Sequence, residues 1–298
     1  MAVRIGNQRV LLLMLVPGIA MAILFRYLPI YGMTIAFKDF HPMRGLFASE
    51  WVGLNHFRDM FQSTDFFRII RNTVVLNVYH LLFGFPAPIL LAIMINEVGR
   101  SAVKRTYQSI TYLPHFISWV VVGAMVIGFL SPRVGPANQL LRALGADPIP
   151  FLLRPRYFRG ILVLSAMWKG VGYGSIVFLA SIVSINPELY ESAHMDGAGL
   201  IRRIVSITLP GIRGTIAVIL VIRVANFMQV SFEQVYVLYS SAVYEVGDVI
   251  STYVYRVGIA GGQFSRTGAI DVFNSIVGLI LVVLTNALAK RFLDRGLW

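Results

Sequence analysis

Six long apolar runs, separated by shorter polar segments, dominate the pattern of this 298-residue chain. Each run reaches or exceeds the roughly 20 residues that an α-helix needs to cross the hydrocarbon core of a bilayer. Because irregular backbone cannot face lipid, we predict a helix for every run. The chain is therefore expected to be an all-α, polytopic membrane protein with one transmembrane domain over residues 1–298. The predicted spans are residues 10–31, 72–96, 106–132, 160–186, 211–235 and 268–289.

Prolines inside the apolar runs predict irregularities in several spans. Proline removes an amide donor and clashes with the preceding helical turn, so a helix kinks or breaks there. In a membrane such breaks are tolerated where neighbouring helices satisfy the freed carbonyl groups. Kinks or breaks are therefore expected near Pro17, Pro86, Pro88 and Pro114.

Composition favours lipid as the environment of much of the surface. Hydrophobic residues make up 57% of the chain and charged residues 13%, against about 25% charged residues in a soluble domain. The absence of cysteine excludes disulfides and thiolate metal sites. The formal net charge of +12 fits anchoring at the headgroups of a lipid bilayer or an electropositive path for an anionic substrate. We expect no nucleic-acid partner.

Basic residues indicate the orientation in the membrane only weakly. Six spans place both termini on one side, and the two sets of loops hold nearly equal numbers of basic residues. The positive-inside rule has most force for short loops and helix ends, where Arg100, Lys104 and Arg105 cluster. We therefore expect this loop and both termini in the cytoplasm. On the outer side we expect a small folded cap or interfacial helix over residues 44–63 and a turn-rich loop over residues 131–157.

A short polar segment between the fourth and fifth spans predicts a helix of its own. Asn186 suits the N-cap, Pro187 the first helical position, and Glu188 the positive end of the helix dipole. Such a helix would run to Asp196 and stop at Gly197. With about ten residues, or roughly 15 Å, it is too short to cross a bilayer. We expect it to lie along the cytoplasmic face.

The same segment resembles the EAA signature of ABC-importer permeases. Residues 191–198 read ESAHMDGA, and ITLP follows at the family spacing. Ser192 stands where the signature has its second alanine, and Ile201 and Ile204 stand where aromatic residues are common. These changes keep small size and apolar bulk. Within the coupling loop of residues 186–210, the matching positions are Glu191, Ala193, Asp196, Gly197, Ala198, Ile207, Leu209 and Pro210.

Other segments resemble the polysaccharide-permease branch of the maltose-importer-type family. Together with the EAA-like loop they are spread over the first two-thirds of the chain, and they are more specific than that loop. The branch is associated with complex sugars and oligosaccharides, so the resemblance implies a carbohydrate substrate. Residues 27–32 read YLPIYG, residues 84–89 read GFPAPI, residues 96–98 read NEV, and residues 112–121 read YLPHFISWVV.

The resemblance implies the permease subunit of a binding-protein-dependent importer in the bacterial inner membrane. It implies a second homologous permease, two ATPase subunits and an extracytoplasmic solute-binding protein as partners. The coupling helix would dock in a cleft of an ATPase, with Glu191 offering a charge to a basic partner residue and Gly197 making the tight turn. The chain contains no G-x-x-x-x-G-K-[ST] pattern. We therefore expect no cofactor and no enzymatic activity in this chain, with ATP and Mg in the partner ATPase.

Polar residues inside the predicted spans mark a candidate passage. A cation at mid-bilayer costs about 2.5–3.5 kcal/mol on insertion scales, so it usually faces a protein interior or a watery cavity. Arg223 lies near the middle of the fifth span, and polar residues follow it at three-to-four spacing on one predicted helical face. Hydrogen bonding between helices without ligand contact is the alternative. The candidate pathway residues are Asn77, His80, Lys169, Tyr173, Arg223, Asn226, Gln229 and Glu233.

The signs of the charges favour an acidic cargo. Lys169 and Arg223 lie well inside their spans, whereas Glu233 lies toward an outer end. Neutral sugars are usually held by aromatic stacking and neutral hydrogen-bonding groups. We therefore expect an acidic oligosaccharide, such as a uronate polymer of the alginate type.

Two other classes of function stay open on the residues alone. A membrane-embedded transferase needs clustered acids or histidines, but the five histidines are scattered, without an H-E-x-x-H pattern or paired carboxylates within a span. An ion-coupled transporter usually carries buried acids and often inverted repeats, and neither stands out.

Overall fold

The computed structural model describes residues 9–293, apart from several side chains within residues 9–11 and 288–293. The chain ends, which we predict to be cytoplasmic, lie outside this range. Most described residues are helical, and the strands among them, β1 (Lys38–Asp39) and β2 (Glu50–Trp51), form one short antiparallel pair. The all-α fold class is confirmed.

Five helical runs of the described chain are long and apolar enough to cross a membrane. A further pair of helices, Ser101–Phe116 and Trp119–Leu130, meets the same criterion together but bends by 101° at its junction. Counting this pair as one span gives the six spans that the sequence predicts. The five runs are Leu12–Phe37, Thr64–Asn96, Pro155–Val183, Leu200–Ala225 and Phe264–Ala287.

The third span is broken near Pro114, where the sequence predicts a kink or break, so the run predicted over residues 106–132 consists of two helices. α6 (Ser101–Tyr112) passes into a 3₁₀ turn that contains Pro114, and α7 (Trp119–Leu130) starts in a new direction. Proline cannot continue the α-helical hydrogen-bond ladder. The side chain of Ser118 then caps the first turn of α7. Pro114 and Ser118 together are a local cause of the break.

The fifth span ends ten residues earlier than predicted, so a single helix over residues 211–235 is wrong. α12 (Leu209–Ala225) is followed by a separate helix, α13 (Phe232–Leu238). The backbone and side-chain amides of Asn226 both donate to the carbonyl oxygen of Ile222, at 3.2 and 2.9 Å. Because Asn226 satisfies this terminal carbonyl, the helix can stop there.

The other four spans lie where the sequence predicts them, with shifted ends. The second span contains a π-helical turn over His80–Gly84, directly before Pro86, whereas the first helix continues through Pro17. Proline therefore interrupts the second span and not the α-helical part of the first. The helices of these spans are α1 (Arg9–Ala22), α4 (Thr64–Tyr79), α5 (Pro86–Asn96), α9 (Pro155–Val183) and α16 (Phe264–Leu293).

Residues 9–63 and 254–274 form one compact unit. It contains the strand pair and the short helices α2 (Gly45–Ala48) and α3 (Asn55–Gln62). Aromatic rings pack beside the strand pair. The segment of residues 44–63 is thus folded, as its mixed polar and aromatic sequence predicts.

The remaining described residues form a second compact unit in which α9 is the central helix. One apolar core joins α5, α9 and α12 around Phe178, and a second core contains Phe158. A single domain over residues 1–298 stays a prediction. The shorter helices of this unit are α8 (Pro136–Ala143), α10 (Pro187–Met195), α11 (Leu200–Arg203), α14 (Tyr244–Gly247) and α15 (Ile250–Tyr253).

Candidate functional site

The segment between α9 and α12 folds as the sequence predicts. α10 begins where the Asn186 side chain accepts a hydrogen bond from the Glu188 amide at 3.1 Å. Asp196 follows its last residue, and Gly197 adopts the left-handed conformation with φ of +74°. Glycine takes up this conformation without the strain that a Cβ would cause. The predicted cap, first turn and stop of this short helix are confirmed.

The EAA-like residues lie on one loop whose two ends are joined by a hydrogen bond. The Tyr190 hydroxyl of α10 lies 3.0 Å from the Thr208 hydroxyl, in the turn before α12. This bond links α10 to the π-helical segment directly before α12. Glu191, Asp196, Gly197 and Pro210 are exposed, and Ala193, Ala198 and Leu209 are half-buried.

A cavity of about 310 Å³ lies beside the end of α12. Its wall combines α4 and the π-helical turn after α4 with the residues around the end of α12. The volume is at the lower end of the range typical of small-molecule sites. The structure thus brings five of the eight candidate pathway residues together. The polar lining residues are Asn77, His80, Arg223, Asn226, Gln229 and Ser231.

The polar groups of this cavity suit an anionic ligand. Arg223 is exposed and has no ion-pair partner among the described residues, and no described lining residue is acidic. Asn77 donates an amide N–H to the Thr73 carbonyl at 2.9 Å, and Asn226 donates one to the Ile222 carbonyl at 2.9 Å. These bonds hold both amides in place. A guanidinium beside fixed neutral groups can bind a carboxylate with bidentate geometry.

Sequence reasoning missed two aromatic lining residues and misplaced one acid. Phe85 and Phe227 complete the cavity wall. Phe85 lies inside the GFPAPI segment and Phe227 directly follows Asn226, and these positions were the signals by which the sequence could have indicated them. Glu233 lies in the first turn of α13 and outside the cavity lining. Its predicted place on one helical face with Arg223 is wrong, because α12 ends before it.

Lys169 and Tyr173 lie away from this cavity, on the face of α9 next to the break in the third span. The Lys169 ammonium donates to the carbonyl oxygens of Pro114 and His115, at 3.4 and 2.6 Å, and to that of Ile117. The Tyr173 ring stacks on the His115 ring, with centroids 3.9 Å apart. In this structure both side chains therefore contact protein groups at the bend.

Comparison with known proteins supports a transport role. Residues 84–296 match the family described as the binding-protein-dependent transport system inner membrane component. The chain belongs to this family. The matched region contains α10 and most of the cavity lining.

Relatives and solved structures extend the similarity of the permease to nearly its whole length. Protein LplB of Bacillus subtilis (strain 168) is 44% identical over 97% of this chain and 91% of its own. The polygalacturonan/rhamnogalacturonan transport system permease protein YteP of that strain is 41% identical over 99% of this chain and 92% of its own.

Two crystal structures of bacterial alginate transporters contain a chain similar to the permease. One transporter is described as an ABC transporter involved in the import of the acidic polysaccharide alginate; the match has a TM-score of 0.90 and 45% identity over 97% of both chains. The other is in complex with an alginate pentasaccharide-bound periplasmic protein; the match has a TM-score of 0.91 and 44% identity over 98% of both chains.

The family assigns the class of function. The permease is a multi-pass inner-membrane component of an ABC importer that depends on a binding protein. It is a transport component and not an enzyme. The resemblance drawn from the sequence is confirmed, and the transferase and the ion-coupled transporter are set aside.

Proposed function

We propose that this permease imports acidic oligosaccharides and that the Arg223 cavity holds a short portion of the sugar chain during transport. The observation that carries the proposal is the Arg223 guanidinium, which has no ion-pair partner among the described residues and lies in a cavity whose described lining contains no acid. A uronate carboxylate would supply the partner. The amides of Asn77, Asn226 and Gln229 would bond sugar hydroxyls, and the rings of the lining phenylalanines would pack on the sugar faces.

The cargo class is supported by what two similar proteins are described as carrying. One is a transporter of the acidic polysaccharide alginate, and the other is a permease for polygalacturonan/rhamnogalacturonan. Both are more than 40% identical to this permease. A uronate oligosaccharide fits these descriptions and the charge of the cavity.

The loop that contains α10 is the proposed contact with an ATPase. Met195 is 87% exposed, Ile201 76% and Leu189 52%, beside the exposed carboxylate of Glu191. Exposed apolar side chains rimmed by polar residues are typical of protein interaction sites. The EAA resemblance of the same segment supports an ATPase as the occupant, with Gly197 shaping the turn beside it. ATP and Mg would bind in that partner.

The assembly that follows has four kinds of component. This chain would pair with a second homologous permease, and two ATPase subunits would dock beneath the pair. The extracytoplasmic solute-binding protein would deliver the cargo from the opposite side. With six spans, both termini and α10 would face the cytoplasm, and ATP-driven movement of α10 would alternate the access of the passage.

Replacing Arg223 by glutamine tests the cavity. In the complete transporter reconstituted into vesicles, Arg223→Gln is expected to lower the uptake of alginate oligosaccharides about tenfold or more, because hydrogen bonds to charged groups contribute about 1.5–3 kcal/mol. Arg223→Lys keeps the charge without the bidentate fork and is expected to retain part of the uptake. Every permease variant is assayed with the same loaded binding protein. The selectivity of the binding protein is then the same for all variants.

Arg213→Gln is the matched control for that experiment. Arg213 lies on the same helix and is exposed, but it does not line the cavity. It should leave uptake near the wild-type rate. Carboxyl-reduced oligosaccharides of equal length test the cargo, and their uptake should be slow in the wild type. Equal uptake of reduced and acidic oligosaccharides, or wild-type uptake by Arg223→Gln, would contradict the proposal.

A further inference from the structure

The bend in the third span interrupts the α-helical hydrogen bonding of the backbone carbonyl groups around it. The 3₁₀ turn at the end of α6 and the 101° change of direction before α7 interrupt the ladder of amide-to-carbonyl bonds. The last carbonyls of any helix lack intrahelical donors, and within a membrane water is not at hand to replace them. A bend at this place therefore requires donors from another helix.

Lys169 of α9 supplies such donors, in addition to the Ile117 amide, which donates to the Pro114 carbonyl at 3.2 Å within the 3₁₀ turn. Its ammonium group bonds the carbonyl oxygens of Pro114, His115 and Ile117, which matches the three donors that an ammonium carries. The same group lies 5.6 Å from the centre of the Trp119 ring, in the first turn of α7. Lys169 thus contacts both sides of the bend at once.

Two residues near Lys169 on the same face of α9 allow α6 and the 3₁₀ turn to pack closely against α9. A Cβ built on Gly172 would lie 1.9 Å from the Thr111 carbonyl oxygen, so only glycine lets α6 approach to this distance. One turn from Lys169, the Tyr173 ring stacks on His115 with an interplanar angle of 4°. We call the face formed by Lys169, Gly172 and Tyr173 the α9 joint.

The helix that carries the α9 joint also leads into α10. Only residues 184–186 separate the end of α9 from the start of α10, and Asn186 is already the N-cap of α10. α9 is a continuous α-helix of 29 residues, packed on α5 and α12 through a shared apolar core. A displacement of α10 therefore has a short path, along one helix, to the bend in the third span.

We propose that Lys169 is a positioning residue that fixes the bend of the third span to α9, so that movement of α10 is transmitted to α6 and α7. The inference rests on the proposed function of α10 as the ATPase contact. Lys169 then determines the rate of transport through the position of the bend, and it leaves the affinity for cargo to the Arg223 cavity.

The position of the bend can be measured directly. The chain has no cysteine, so Ile127→Cys on α7 and Val177→Cys on α9, both exposed, can carry two spin labels in the assembled transporter. Lys169→Met is expected to broaden or shift the label-to-label distance distribution, and Lys169→Arg, which keeps a charged multiple donor, to restore it. Lys169→Gln, with two donors and no charge, should lie between them and serves if Lys169→Met fails to assemble.

The same variants separate turnover from cargo affinity. Lys169→Met is expected to lower the maximal rate of uptake about tenfold, as the loss of charge-assisted hydrogen bonds implies, with little change in the cargo concentration for half-maximal rate. The matched control is Lys104→Met on α6, because the ammonium of Lys104 donates, among the described residues, a hydrogen bond only to the Asn96 side chain, at 3.5 Å. This control should leave both the distances and the rate unchanged.

Unchanged label distances in Lys169→Met would overturn the proposal. So would a raised half-maximal concentration for acidic cargo at an unchanged maximal rate, because that result would make Lys169 a cargo contact. Failure of the proposed ATPase contact is recognised separately: Gly197→Ala would then leave the amount of co-purified ATPase unchanged, while the label distances stay measurable.

Discussion

Gly197 shows how one residue shapes the proposed ATPase contact. Its φ of +74° reverses the chain after α10, and the amide of the next residue, Ala198, reaches back to the Ala193 carbonyl at 2.9 Å. The Schellman-type end of a helix uses this geometry to satisfy terminal carbonyls. The sequence was sufficient to place this stop, because glycine after a short polar helix is a local signal.

Gly197→Ala is expected to weaken ATPase binding. The left-handed conformation costs a residue with a Cβ about 1–2 kcal/mol, so α10 should lengthen or fray at its end. The measurement is the amount of ATPase that co-purifies with the tagged permease. Gly199→Ala is the control, because Gly199 has an extended backbone with φ of −66° and no atom within 4 Å of a built Cβ. Equal co-purification of the two variants would show that the turn does not shape the contact.

Lys169 and Arg223 show the limit of reasoning from single residues. Both are cations inside predicted spans, and from the sequence both were interpreted as pathway residues. The structure separates them: one is surrounded by backbone carbonyls at the bend, and the other lines a cavity. Burial cost alone predicts that a charge needs a partner, but the partner is decided by which helices meet.

At the scale of elements, the crossing of α6 and α9 depends on a close backbone approach. Gly172 is buried, and the Thr111 carbonyl occupies the space that a side chain would need. Small residues are enriched where membrane helices touch, because they let backbones approach. This crossing holds the first half of the broken third span.

Gly172→Ala is expected to destabilise the permease by about 1–3 kcal/mol, the usual cost of overpacking a tight contact. Gly170→Ala is the matched control two residues away on the same helix, where a built Cβ meets no atom within 4 Å. Thermal unfolding of the purified transporter should show a lower midpoint for the first variant only. An equal fall of the midpoint in both variants would show that replacing glycine in α9 destabilises the helix itself and that the crossing with α6 is not the cause.

Span lengths and the break near Pro114 were predicted from the sequence, whereas the 101° change of direction at that break and the early end of α12 were not. The length of a span follows from the thickness of the bilayer, which acts on apolar content alone. Pro114 marks the break in the third span, but hydropathy does not show that the chain turns by 101° there. The early end of α12 depends on the Asn226 amides, which donate to a terminal carbonyl. The spacing of Asn226 in the sequence fits a continuing helix and therefore does not predict this end.

At the scale of the whole molecule, the orientation in the membrane is the proposal on which the functional assignment of α10 depends. Basic residues are too evenly divided between the two sets of loops to decide it. By the EAA resemblance α10 would lie in the cytoplasm, and the alternation of six spans would then put the loop over residues 131–157 outside. The chain ends would share the side of α10.

Single cysteines can test the orientation, because the native chain has none. Ser192→Cys lies on the exposed surface of α10, and Leu144→Cys lies in the 131–157 loop, where Leu144 is 75% exposed. A membrane-impermeant maleimide should label Leu144→Cys in spheroplasts and Ser192→Cys only in inside-out vesicles. The reverse pattern would remove α10 from reach of a cytoplasmic ATPase.

The sequence by itself determined the fold class, the approximate spans, the short helix from Asn186 to Gly197 and, through resemblance, the family. These features depend on local hydropathy, local capping and motif spacing. Only the tertiary structure decided that five of the eight polar candidates share a cavity, while Lys169 and Tyr173 contact the bend in the third span and Glu233 lies elsewhere. A side chain's partners come from segments far away in the chain, and their meeting is set by helix packing, which no local pattern records.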